Sequence, residues 1–597
     1  PFSCRHAYTL TCRFHSKSYH HPHTHEMPVR TLSYIATVSA ASAYYYFQHS
    51  DQDRKHSIIG PTSTQLQDEH NRVAVQARST PEILLGLFVY KLCTFPWIAD
   101  TAPYVLRLAE ACHLQAPVYW FIKHTFFNQF CGGETAEECV ATMNRLSQSN
   151  INCILDLSIE SDLPPPSKDN AGKYAQQEHN ADLTLDMIKT CLKTASQSSL
   201  NDAFAAIKLT ALAPPELLLR LNQVMYFLDK AFEKYQVDGR IGRNGVEYVT
   251  SHICPAPHTK QQEQERNQIL SRFTDQKYTL DYVEYTKLFN LNGMGYKVWW
   301  ETDSDKTEKD VYLTLEDLHA YGRMLHRLDQ VCQLAQDKGV GIMVDAEQSY
   351  FQEAIDHVAM NLQEKYNRRD DMDHSPTVYN TYQMYTKAAQ KKLERDFERA
   401  ERGNFAFAVK LVRGAYMISE RKRAEQLNYE SPIHNTIEDT HHSYNNGIRF
   451  LLGRLQHYQE TAGQPLTAST APVVFMVASH NRESTILTVE EMEQHHVSPG
   501  SGVVHFGQLF GMQDQITYTL GKNGYSVYKY LPYGRIDQVI PYLLRRAQEN
   551  SSVLGGVNKE LALMWQELKY RLAGLITTTQ SLDGNSNGDN TISTETA

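Results

Sequence analysis

The stretch Tyr530-Leu-Pro-Tyr-Gly-Arg-Ile-Asp-Gln-Val-Ile-Pro-Tyr-Leu-Leu-Arg-Arg-Ala-Gln-Glu-Asn550 reads as the end of a strand, a turn of proline and glycine, and a helix. We predict that Asp537 is the N-cap of this helix, because a short polar side chain there accepts hydrogen bonds from first-turn N–H groups. Pro541 then falls in the first turn, where its missing N–H costs little. The stretch therefore forms one strand–turn–helix unit.

The chain repeats this alternation through eight short apolar runs rich in Val, Ile, Phe and Tyr. They are Ile151–Ser158, Phe204–Leu212, Val340–Glu347, Thr377–Tyr385, Phe405–Tyr416, Val473–Asn481, Val503–Met512 and Ser526–Gly534. Helix-like segments such as Lys387–Arg402 lie between them. Continuous apolar strands that alternate with helices are typical of parallel strands covered by helices. Eight such units predict an α/β fold with a TIM-like (β/α)8 barrel over residues 150–575.

The predicted barrel is longer than the roughly 250 residues typical of this fold, so it must carry insertions. The largest lies between the second and third strands, at about residues 213–335, and we expect it to be helical. Within it, the Asp-Gly-Arg-Ile motif that starts at Asp238 is similar to the core of an EF-hand loop. The positions that would have to supply oxygen ligands carry Lys234, Gln236 and Gly245, so we predict a helical hairpin without metal.

Residues 1–50 differ in composition from the rest of the chain. They hold one acidic residue, Glu26, against four lysine and arginine residues, which is typical of an organellar targeting segment. The apolar run Leu32–Phe47 is shorter than the roughly 20 residues that a membrane span needs. We interpret it as targeting or membrane-associating, with a single span as the alternative. The histidines between positions 15 and 25 belong to this leader in our interpretation, rather than to a metal site.

The remaining ends of the chain are predicted to lie outside the barrel. Residues 51–149 are interpreted as a linker, polar over residues 51–80, followed by a helical region. Residues 576–597 are rich in Ser, Thr, Asn and Gly and are predicted to be disordered. The net charge of −10 argues against nucleic acid as the main partner. The ten cysteines include no CxxC pair and none beyond Cys332, which argues against a disulfide framework, a zinc site and a cofactor tether in the second half.

Nearly every apolar run carries a polar residue at its carboxyl end, where a barrel of this kind places its active site. These residues are Asp156, Glu160, Lys208, Asp345, Glu347, Asn380, Gln383, Arg413, Tyr416, Ser479, His480, Asn481, Gln508, Tyr530 and Tyr533. Any one of them alone is explained as a satisfied polar group at the barrel rim. The whole set together favours a functional site.

The candidate site residues form two groups, according to the kind of ligand that they suit. Two guanidinium groups and a lysine suit a small carboxylate, which arginine holds bidentately; these cations are Lys208, Arg545 and Arg546. Aromatic and apolar walls for a ring are Tyr416, Leu509, Tyr530 and Tyr542. A mixture of cations, amides and small residues suits a flat polar cofactor with phosphates. These residues are Asn380, Lys410, Val412, Arg413, Gly414, Ser479, His480 and Asn481. No GxGxxG fingerprint follows a strand, so a Rossmann domain is not indicated.

The helix at the end of the stretch has a second interpretation. Tyr542, Arg545, Arg546 and Glu549 follow the spacing i, i+3, i+4 and i+7, so they share one face. That face could be solvated, as most charge runs are. Apolar residues between Ile536 and Leu544 place it beside the buried side of the helix, which favours a site in which Glu549 holds one arginine.

Several motifs over about residues 150–570 resemble the proline dehydrogenase family. They are Ile-Lys208-Leu-Thr-Ala-Leu, Val-Asp345-Ala-Glu-Gln, Lys410-Leu-Val-Arg-Gly-Ala-Tyr416, Ser479-His-Asn, Phe506-Gly-Gln-Leu-Phe-Gly-Met512 and the stretch quoted first. The resemblance implies a distorted (β/α)8 barrel with non-covalent FAD, which oxidises L-proline to 1-pyrroline-5-carboxylate. It also implies a membrane quinone as electron acceptor, and the leader fits a mitochondrial location at the inner membrane surface.

The resemblance also implies roles for individual residues. The proline carboxylate would be bound by Lys208, Arg545 and Arg546, and its ring enclosed by Asp345, Tyr416, Leu509, Tyr530 and Tyr542. Glu160 would pair with Arg545 and help to open and close the site. The flavin would be surrounded by Asn380, Lys410, Val412, Arg413, Gly414, Ser479, His480 and Glu549. Bacterial members commonly carry arginine in place of Lys410 and lysine in place of Arg413, so the resemblance leaves open which cation reaches the flavin ring.

Two rival functions remain at this point. In hydroxyproline dehydrogenases, which are related, the residue in the place of Tyr530 is smaller, and a tyrosine would crowd a ring hydroxyl. The sequence therefore favours proline as the substrate. A barrel that binds proline as a sensor, without flavin or catalysis, is the rival of another class.

Overall fold

Eight parallel strands close into a barrel in the computed structural model of the chain, which describes residues 61–158, 170–198, 200, 203–253, 260–273, 278–291, 313–371, 374–552 and 554–584. The barrel strands are β1 (Ile151–Leu157), β2 (Ala203–Ile207), β6 (Val340–Val344), β7 (Val378–Gln383), β8 (Phe407–Val412), β9 (Val473–Ala478), β10 (Val504–Leu509) and β11 (Ser526–Tyr533). They follow one another around the barrel in this order, and β11 pairs with β1. All eight predicted strands and the predicted fold class are confirmed.

Helices surround the barrel. Those described before β1 are α1 (Thr62–Gln67), α2 (Val73–Ala77), α3 (Thr80–Cys93), α4 (Pro96–Ala111), α5 (Gln115–Ile122), a π-helical turn (Lys123–Phe127), α6 (Asn128–Phe130) and α7 (Cys139–Ser147). Those described after β1 are α8 (Asn170–Ala195), α9 (Pro215–Tyr235), α10 (Arg243–Ile253), α11 (Lys260–Ser271), α12 (Tyr282–Leu288), α13 (Leu315–Lys338), α14 (Ser349–Tyr366), α15 (Ala389–Gly403), α16 (Met417–Leu427), α17 (Ile437–Ala462), α18 (Arg482–Gln494), α19 (Asp514–Lys522), α20 (Ile536–Ser552) and α21 (Leu554–Gly584).

Local sequence signals set the ends of these helices, as α13 illustrates. Its N-cap Thr314 and Asp317 exchange side chain-to-backbone hydrogen bonds in a capping box. It ends at Gly339, whose φ of 64° is left-handed and favours glycine. The chain then enters β6, where a Cβ on Gly341 would lie 2.3 Å from the ring of Phe204. The barrel interior is therefore packed so tightly there that only glycine fits.

A second core joins the amino-terminal helices to the end of the chain. Side chains from α3, the π-helical turn, α20 and α21 form one buried apolar cluster, which includes Ile83, Phe127, Tyr542 and Met564. Leu509, at the end of β10, packs against this cluster. Helix α20 is thereby held against the carboxyl ends of the barrel strands, where the candidate site lies.

The insertion between β2 and β6 contains helices α9 to α13 and also a small antiparallel sheet that the sequence did not predict. Its strands are β3 (Gln236–Val237), β4 (Arg240–Ile241) and β5 (Leu280–Asp281). Asp238 and Gly239 join β3 to β4 with left-handed φ values of 52° and 76°, as a two-residue hairpin turn requires. The EF-hand-like motif is therefore a tight turn between two short strands.

Three boundaries predicted from the sequence are wrong. Residues 51–80 are not wholly a linker, because α1 and α2 form there and bury Leu66 and Val75. Helix α21 continues to Gly584, into the tail predicted to be disordered. Helix α20 begins before Asp537, since Arg535 accepts the first helical hydrogen bonds, and Pro541 therefore lies inside the helix. The predicted leader, residues 1–50, lies outside the described residues.

Candidate active site

A network of buried charges lies at the carboxyl ends of four barrel strands. Lys208 Nζ donates to Asp156 Oδ1 at 2.8 Å and lies 3.9 Å from Asp345 Oδ2. Lys410 Nζ donates to Asp345 Oδ1, and the Tyr530 hydroxyl donates to Asp345 Oδ2 at 2.7 Å. Asp345 thus accepts from two side chains and lies between two lysines. The network balances two lysines with two carboxylates inside the barrel, so that neither sign of charge is left uncompensated.

The environment sets the protonation states of this network. Burial alone would raise the pKa of Asp345, but Lys410 and Lys208 outweigh it and hold that pKa below its usual value. Burial, together with the charges of Asp156 and Asp345, raises the pKa of Tyr530 well above its usual value. Asp345 is therefore ionised at neutral pH, and Tyr530 keeps the proton that it donates.

Glu347 lies two residues beyond Asp345, and its pKa is shifted in the opposite direction. Its carboxylate accepts from the Thr210 N–H at 3.2 Å and from the Thr210 hydroxyl at 2.6 Å. Burial raises its pKa to about 7, against the smaller lowering effects of Thr210 and Lys208. Gln383 donates to the Glu347 carbonyl at 2.7 Å and thereby fixes the local backbone. Glu347 can therefore take up or release a proton near neutral pH.

This raised pKa predicts a pH-dependent stability that Glu347→Gln removes. Because the folded state binds the proton more tightly than the unfolded state, whose pKa is near 4.5, stability must fall as pH rises from about 4.5 through 7. The full effect is about 3 kcal/mol. We expect urea denaturation at pH 5 and pH 8 to show a smaller difference in the variant than in the wild type. Equal differences in the two proteins would contradict the assignment.

Arg413 is held in a polar pocket at the ends of β8 and β9. Its Nε donates to Ser479 Oγ at 3.1 Å and its Nη2 to Ser484 Oγ at 2.6 Å. Its Nη1 lies 2.9 Å from His441 Nδ1, and its guanidinium stacks 4.0 Å from the centre of the Tyr444 ring. Three hydrogen bonds and one stacked ring fix the direction of this cation. It is therefore separate from the charged network that holds Lys410.

His480 and Gly414 shape the rim beside this pocket. His480 Nε2 accepts from the Leu509 N–H at 3.0 Å, which requires the proton to be on Nδ1. Burial, helped by Lys529 and Arg546, lowers the His480 pKa to about 3, so the ring is neutral. Gly414 is exposed with a φ of 87°, and a Cβ there would meet open space. Val412 beside it is half-buried, so the end of β8 forms an open and partly apolar rim.

Helix α20 buries Tyr542 and Arg546 of its polar face. Arg546 is only 6% exposed, donates to Glu549 Oε1 at 2.6 Å, and lies 4.9 Å from the centre of the Tyr542 ring. Arg545 is half-buried beside it. The interpretation as a solvated charged face is therefore wrong for Arg546 and Tyr542, and the expected pairing of Glu549 with an arginine is confirmed.

This face lies near the barrel end. Tyr542 belongs to the apolar cluster against which Leu509, at the end of β10, packs. Burial lowers the pKa of His480, with smaller contributions from Lys529 and Arg546, and burial raises the pKa of Tyr542.

Asn380 is the predicted site residue that the structure does not bring to this end of the barrel. Its amide donates to Asp356 of α14 at 3.1 Å, and its oxygen accepts from the Thr381 N–H. The side chain therefore points outward into the helix layer. Its neighbour Tyr379 points inward instead and packs against Phe204. The prediction that the Asn380 side chain contacts a cofactor at the barrel mouth is wrong, because alternate residues of a strand face opposite sides.

Two other predicted site residues are Tyr416 and Glu160. Tyr416 is half-buried at the start of α16, and its N–H donates to the Tyr385 hydroxyl at 3.3 Å. Glu160 lies outside the described residues. In the part of the chain that the structure describes, no three His, Cys, Asp or Glu side chains are grouped as a metal site needs.

The sequence did not predict the roles of several residues at the site. Asp156 was among the strand-end residues but was given no role, although Lys208 donates a hydrogen bond to it at 2.8 Å. His441, Tyr444 and Ser484 hold Arg413 from α17 and α18 and carry no motif. Their spacing from Arg413 along the chain gives no signal, because only the packing of helices against strand ends brings them together.

Comparisons with known proteins show what the chain is similar to. A family model described as proline dehydrogenase matches residues 139–559. The chain is 30% identical over 548 residues to mitochondrial proline dehydrogenase 1 of Homo sapiens, covering 84% of this chain and 88% of the human one. It is also 30% identical to hydroxyproline dehydrogenase of Xenopus laevis, covering 83% of this chain and 88% of that one. A crystal structure of proline utilization A from Bdellovibrio bacteriovorus matches with a TM-score of 0.49 and 15% identity, covering 82% of this chain and 41% of that one.

Proposed function

The chain belongs to the proline dehydrogenase family, and from this premise we propose that it oxidises L-proline to 1-pyrroline-5-carboxylate with FAD as the hydride acceptor. The observation that carries the proposal is the position of Asp345 between Lys208, Lys410 and Tyr530. This arrangement fixes two donors and a neighbouring lysine around one buried carboxylate, at the barrel end where active sites of this fold lie. It provides a rigid polar floor for a small charged substrate.

The substrate carboxylate is bound by cations that approach from two directions. Lys208 comes from the end of β2, while Arg545 and Arg546 come from α20. Arginine matches a carboxylate with two parallel hydrogen bonds, so Arg546 can exchange its bond to Glu549 for the substrate. The ring then lies against Tyr530, Tyr542 and Leu509, which exclude water. The contribution of these residues is orientation and electrostatics.

The residues at the ends of β8 and β9 fit a flavin. Arg413 and Ser479 supply donors for an anionic or polar group, and the neutral His480 supplies an Nδ1–H. The open space at Gly414 leaves room for a flat group to approach the backbone. Lys410 lies on the same strand, 5.5 Å from the centre of the Tyr530 ring. When bound, FAD supplies the acceptor for the hydride that leaves the ring carbon beside nitrogen.

The amine must be unprotonated when the hydride leaves, since its lone pair forms the new C=N bond. Asp345 is ionised and lies at the floor of the site, where it orients the ring through its fixed hydrogen bonds. Lys208 and Lys410 keep it ionised. We propose that a cation beside the flavin, Lys410 or Arg413, stabilises the negative charge that the reduced ring acquires.

We further propose that electrons pass to a membrane quinone in mitochondria. The support is that relatives such as the human protein bear the name mitochondrial proline dehydrogenase, and that residues 1–50 have the composition of a targeting segment. Among the described residues, no helix combines the length and the apolar character that crossing a bilayer requires. The membrane contact that we propose is association of the protein with the inner membrane surface.

An anaerobic titration with L-proline tests the proposed function. We expect the purified protein to be yellow, to release FAD on denaturation, and to lose its flavin absorbance stoichiometrically as proline is added. Product formation is measured in parallel by trapping the imine with an aromatic amino-aldehyde. A colourless protein that binds proline without turnover would support the sensor instead.

The same titration distinguishes hydroxyproline as the rival substrate. The similarity to the Xenopus hydroxyproline dehydrogenase motivates this second candidate. Tyr530 is held by its bond to Asp345 and cannot swing away to make room for a ring hydroxyl. We therefore expect kcat/KM for proline to exceed that for trans-4-hydroxyproline by about 10-fold or more, the discrimination typical of steric selection in a small pocket. The reverse ratio would identify the chain as a hydroxyproline dehydrogenase.

A further inference from the structure

The turn after β10 carries one wall of the candidate site. It runs from Leu509 to Gln513 and joins β10 to α19. Leu509 is paired with Tyr530 of β11, and paired residues of parallel strands point to the same face of the sheet. Tyr530 reaches Asp345 at the barrel end. The Leu509 side chain therefore also faces the candidate site, and the position of the turn sets the position of this wall.

Two buried side chains from the amino-terminal helices bind the turn at its centre. Tyr90 of α3 donates its hydroxyl proton to the Gly511 carbonyl, and Gln129 of α6 donates to the same carbonyl at 3.0 Å. Tyr90 is 1% exposed and Gln129 is 4% exposed. Burial, with the charges of Glu560 and Asp514, raises the pKa of Tyr90 well above its usual value, so the hydroxyl keeps the proton that it donates.

Gly511 allows the turn to approach these helices closely. Its φ of 73° is left-handed, and a Cβ on it would lie 2.0 Å from the Gln129 carbonyl oxygen. A side chain at position 511 would therefore push the turn away from α6. Because glycine occupies this position, the backbone of the turn lies directly against α6.

Lys529 holds the same turn from the side of the barrel. It is 1% exposed, and its Nζ donates to the Met512 carbonyl at 2.6 Å and to the Leu509 carbonyl at 3.4 Å. It also pairs with Asp514 Oδ1 at 2.7 Å, so three acceptors match the three protons of the ammonium group. The barrel thus fixes both ends of the turn, while the bonds at Gly511 come from the helices that precede the barrel.

We propose that Tyr90 and Gln129 are positioning residues that set the ring size accepted by the substrate pocket, acting through the Gly511 carbonyl on Leu509. Both residues precede the stretch that the family model matches. The proposal rests on the proposed function and deepens it, because it gives the amino-terminal helices a part in substrate selection.

The wall selects a substrate by the space that it leaves. A hydrophobic pocket discriminates by about 10- to 200-fold between ligands that differ by one methylene group, provided that its walls are held in place. Loss of the bonds at Gly511 leaves the Leu509 side chain unchanged but allows the turn to move outward. A ring with one more methylene group than proline should then gain turnover relative to proline.

Turnover of L-proline and of its six-membered homologue L-pipecolate tests this role. The variants Tyr90→Phe and Tyr90→Phe/Gln129→Leu are made in the full-length, flavin-loaded protein, and kcat/KM is measured for both substrates with a soluble dye as acceptor. We expect the ratio of kcat/KM for proline to that for pipecolate to fall by about threefold or more in the single variant and about tenfold or more in the double variant. Loss of folded protein lowers both values equally and leaves the ratio unchanged, so the ratio separates positioning from a general structural effect.

Tyr285→Phe is the matched control. Tyr285 lies in the insertion between β2 and β6, is also 1% exposed, and donates its hydroxyl proton to the Leu228 carbonyl at 2.9 Å. This change removes a comparable bond away from the candidate site, so the ratio should keep its wild-type value. A wild-type ratio in Tyr90→Phe/Gln129→Leu, or an equal fall of the ratio in Tyr285→Phe, would overturn the proposal.

Dissociation constants of the two amino acids, measured by calorimetry, distinguish this proposal from the proposed function. A wild type that binds L-proline without oxidising it would refute the proposed function alone, if the ratio of the pipecolate constant to the proline constant still falls in the double variant. An unchanged ratio of these constants in such a protein would overturn the positioning role as well. A wild type that binds neither amino acid would overturn both proposals.

Discussion

Asp345→Asn is expected to destabilise the protein by about 3–5 kcal/mol, the cost of removing one partner from a buried charge pair. Asparagine is nearly the same size, so the change removes charge and not volume. Lys208 and Lys410 would then share the single carboxylate of Asp156 within the barrel. The free energy of unfolding from urea denaturation at pH 7 measures the effect.

The same substitution is expected to reduce kcat/KM for proline by about 100-fold. Asp345 positions Lys208, Lys410 and Tyr530 at once, and small displacements of catalytic groups cost about that much. Because the pKa of Asp345 is held below its usual value, its stabilising effect is present above the ordinary aspartate pKa and is lost as pH falls through the lower folded value. The stability difference between variant and wild type must therefore shrink in acid.

Asp396→Asn provides the matched control for this prediction. Asp396 is half-buried and also accepts a hydrogen bond, from the Tyr382 hydroxyl at 2.5 Å, but burial raises its pKa to about 7. Near pH 7 this carboxyl group is partly protonated, and an amide resembles the protonated form. We therefore expect the free energy of unfolding to change by less than about 1 kcal/mol. A variant at position 345 that is as stable as this control would show that the lysines do not depend on Asp345.

Arg546→Lys is expected to weaken proline binding by about 2–5 kcal/mol, the range for disrupting one partner of a buried charged pair. Lysine keeps the positive charge but loses the planar pair of donors, and it cannot reproduce both the contact with Glu549 and the stacking on Tyr542. The effect should appear in KM for proline and in Ki for a non-oxidisable cyclic carboxylate, with a smaller change in kcat. Flavin difference spectra report the binding directly.

Arg535→Lys is the control for the arginine prediction. This arginine lies just before α20 and pairs with Asp537, and its side chain is 74% exposed. Exposed ion pairs contribute little, so KM for proline should not change. Equal KM values in wild type and Arg546→Lys would remove Arg546 from the carboxylate site, whereas equal losses in both arginine variants would indicate a general effect of charge near the helix.

The barrel was predictable because its strands are buried on both faces. Such strands read as continuous apolar runs, and parallel pairing places all of their carboxyl ends on the same side. This made Lys208, Asp345 and Tyr530 recognisable among the strand-end residues before their contacts were known, whereas Lys410 was assigned to the cofactor. The short helices α1 and α2 were missed because they are only five or six residues long, and their burial depends on contacts with distant parts of the chain.

The same double burial explains the error at Asn380. In a strand with one solvated face, polar and apolar residues alternate and identify the inner side. Strand β7 is buried throughout, so its sequence does not tell which side chains point into the barrel. The prediction that Arg545, Arg546 and Tyr542 share one face of helix α20 was correct. Helical spacing puts these residues on one face irrespective of where the helix begins.

The amino-acid sequence by itself determined the number of strands, their order along the chain and the chemical types gathered at their ends, since these follow from local apolar patterns and from parallel pairing. Only the tertiary structure decided which side chains face inward, that Lys410 joins Asp345 while Arg413 joins Ser479, and that Tyr90 and Gln129 bind the Gly511 carbonyl. The physical reason is that these outcomes depend on contacts between residues far apart in the chain, and such contacts arise from packing and leave no periodic signal in the sequence.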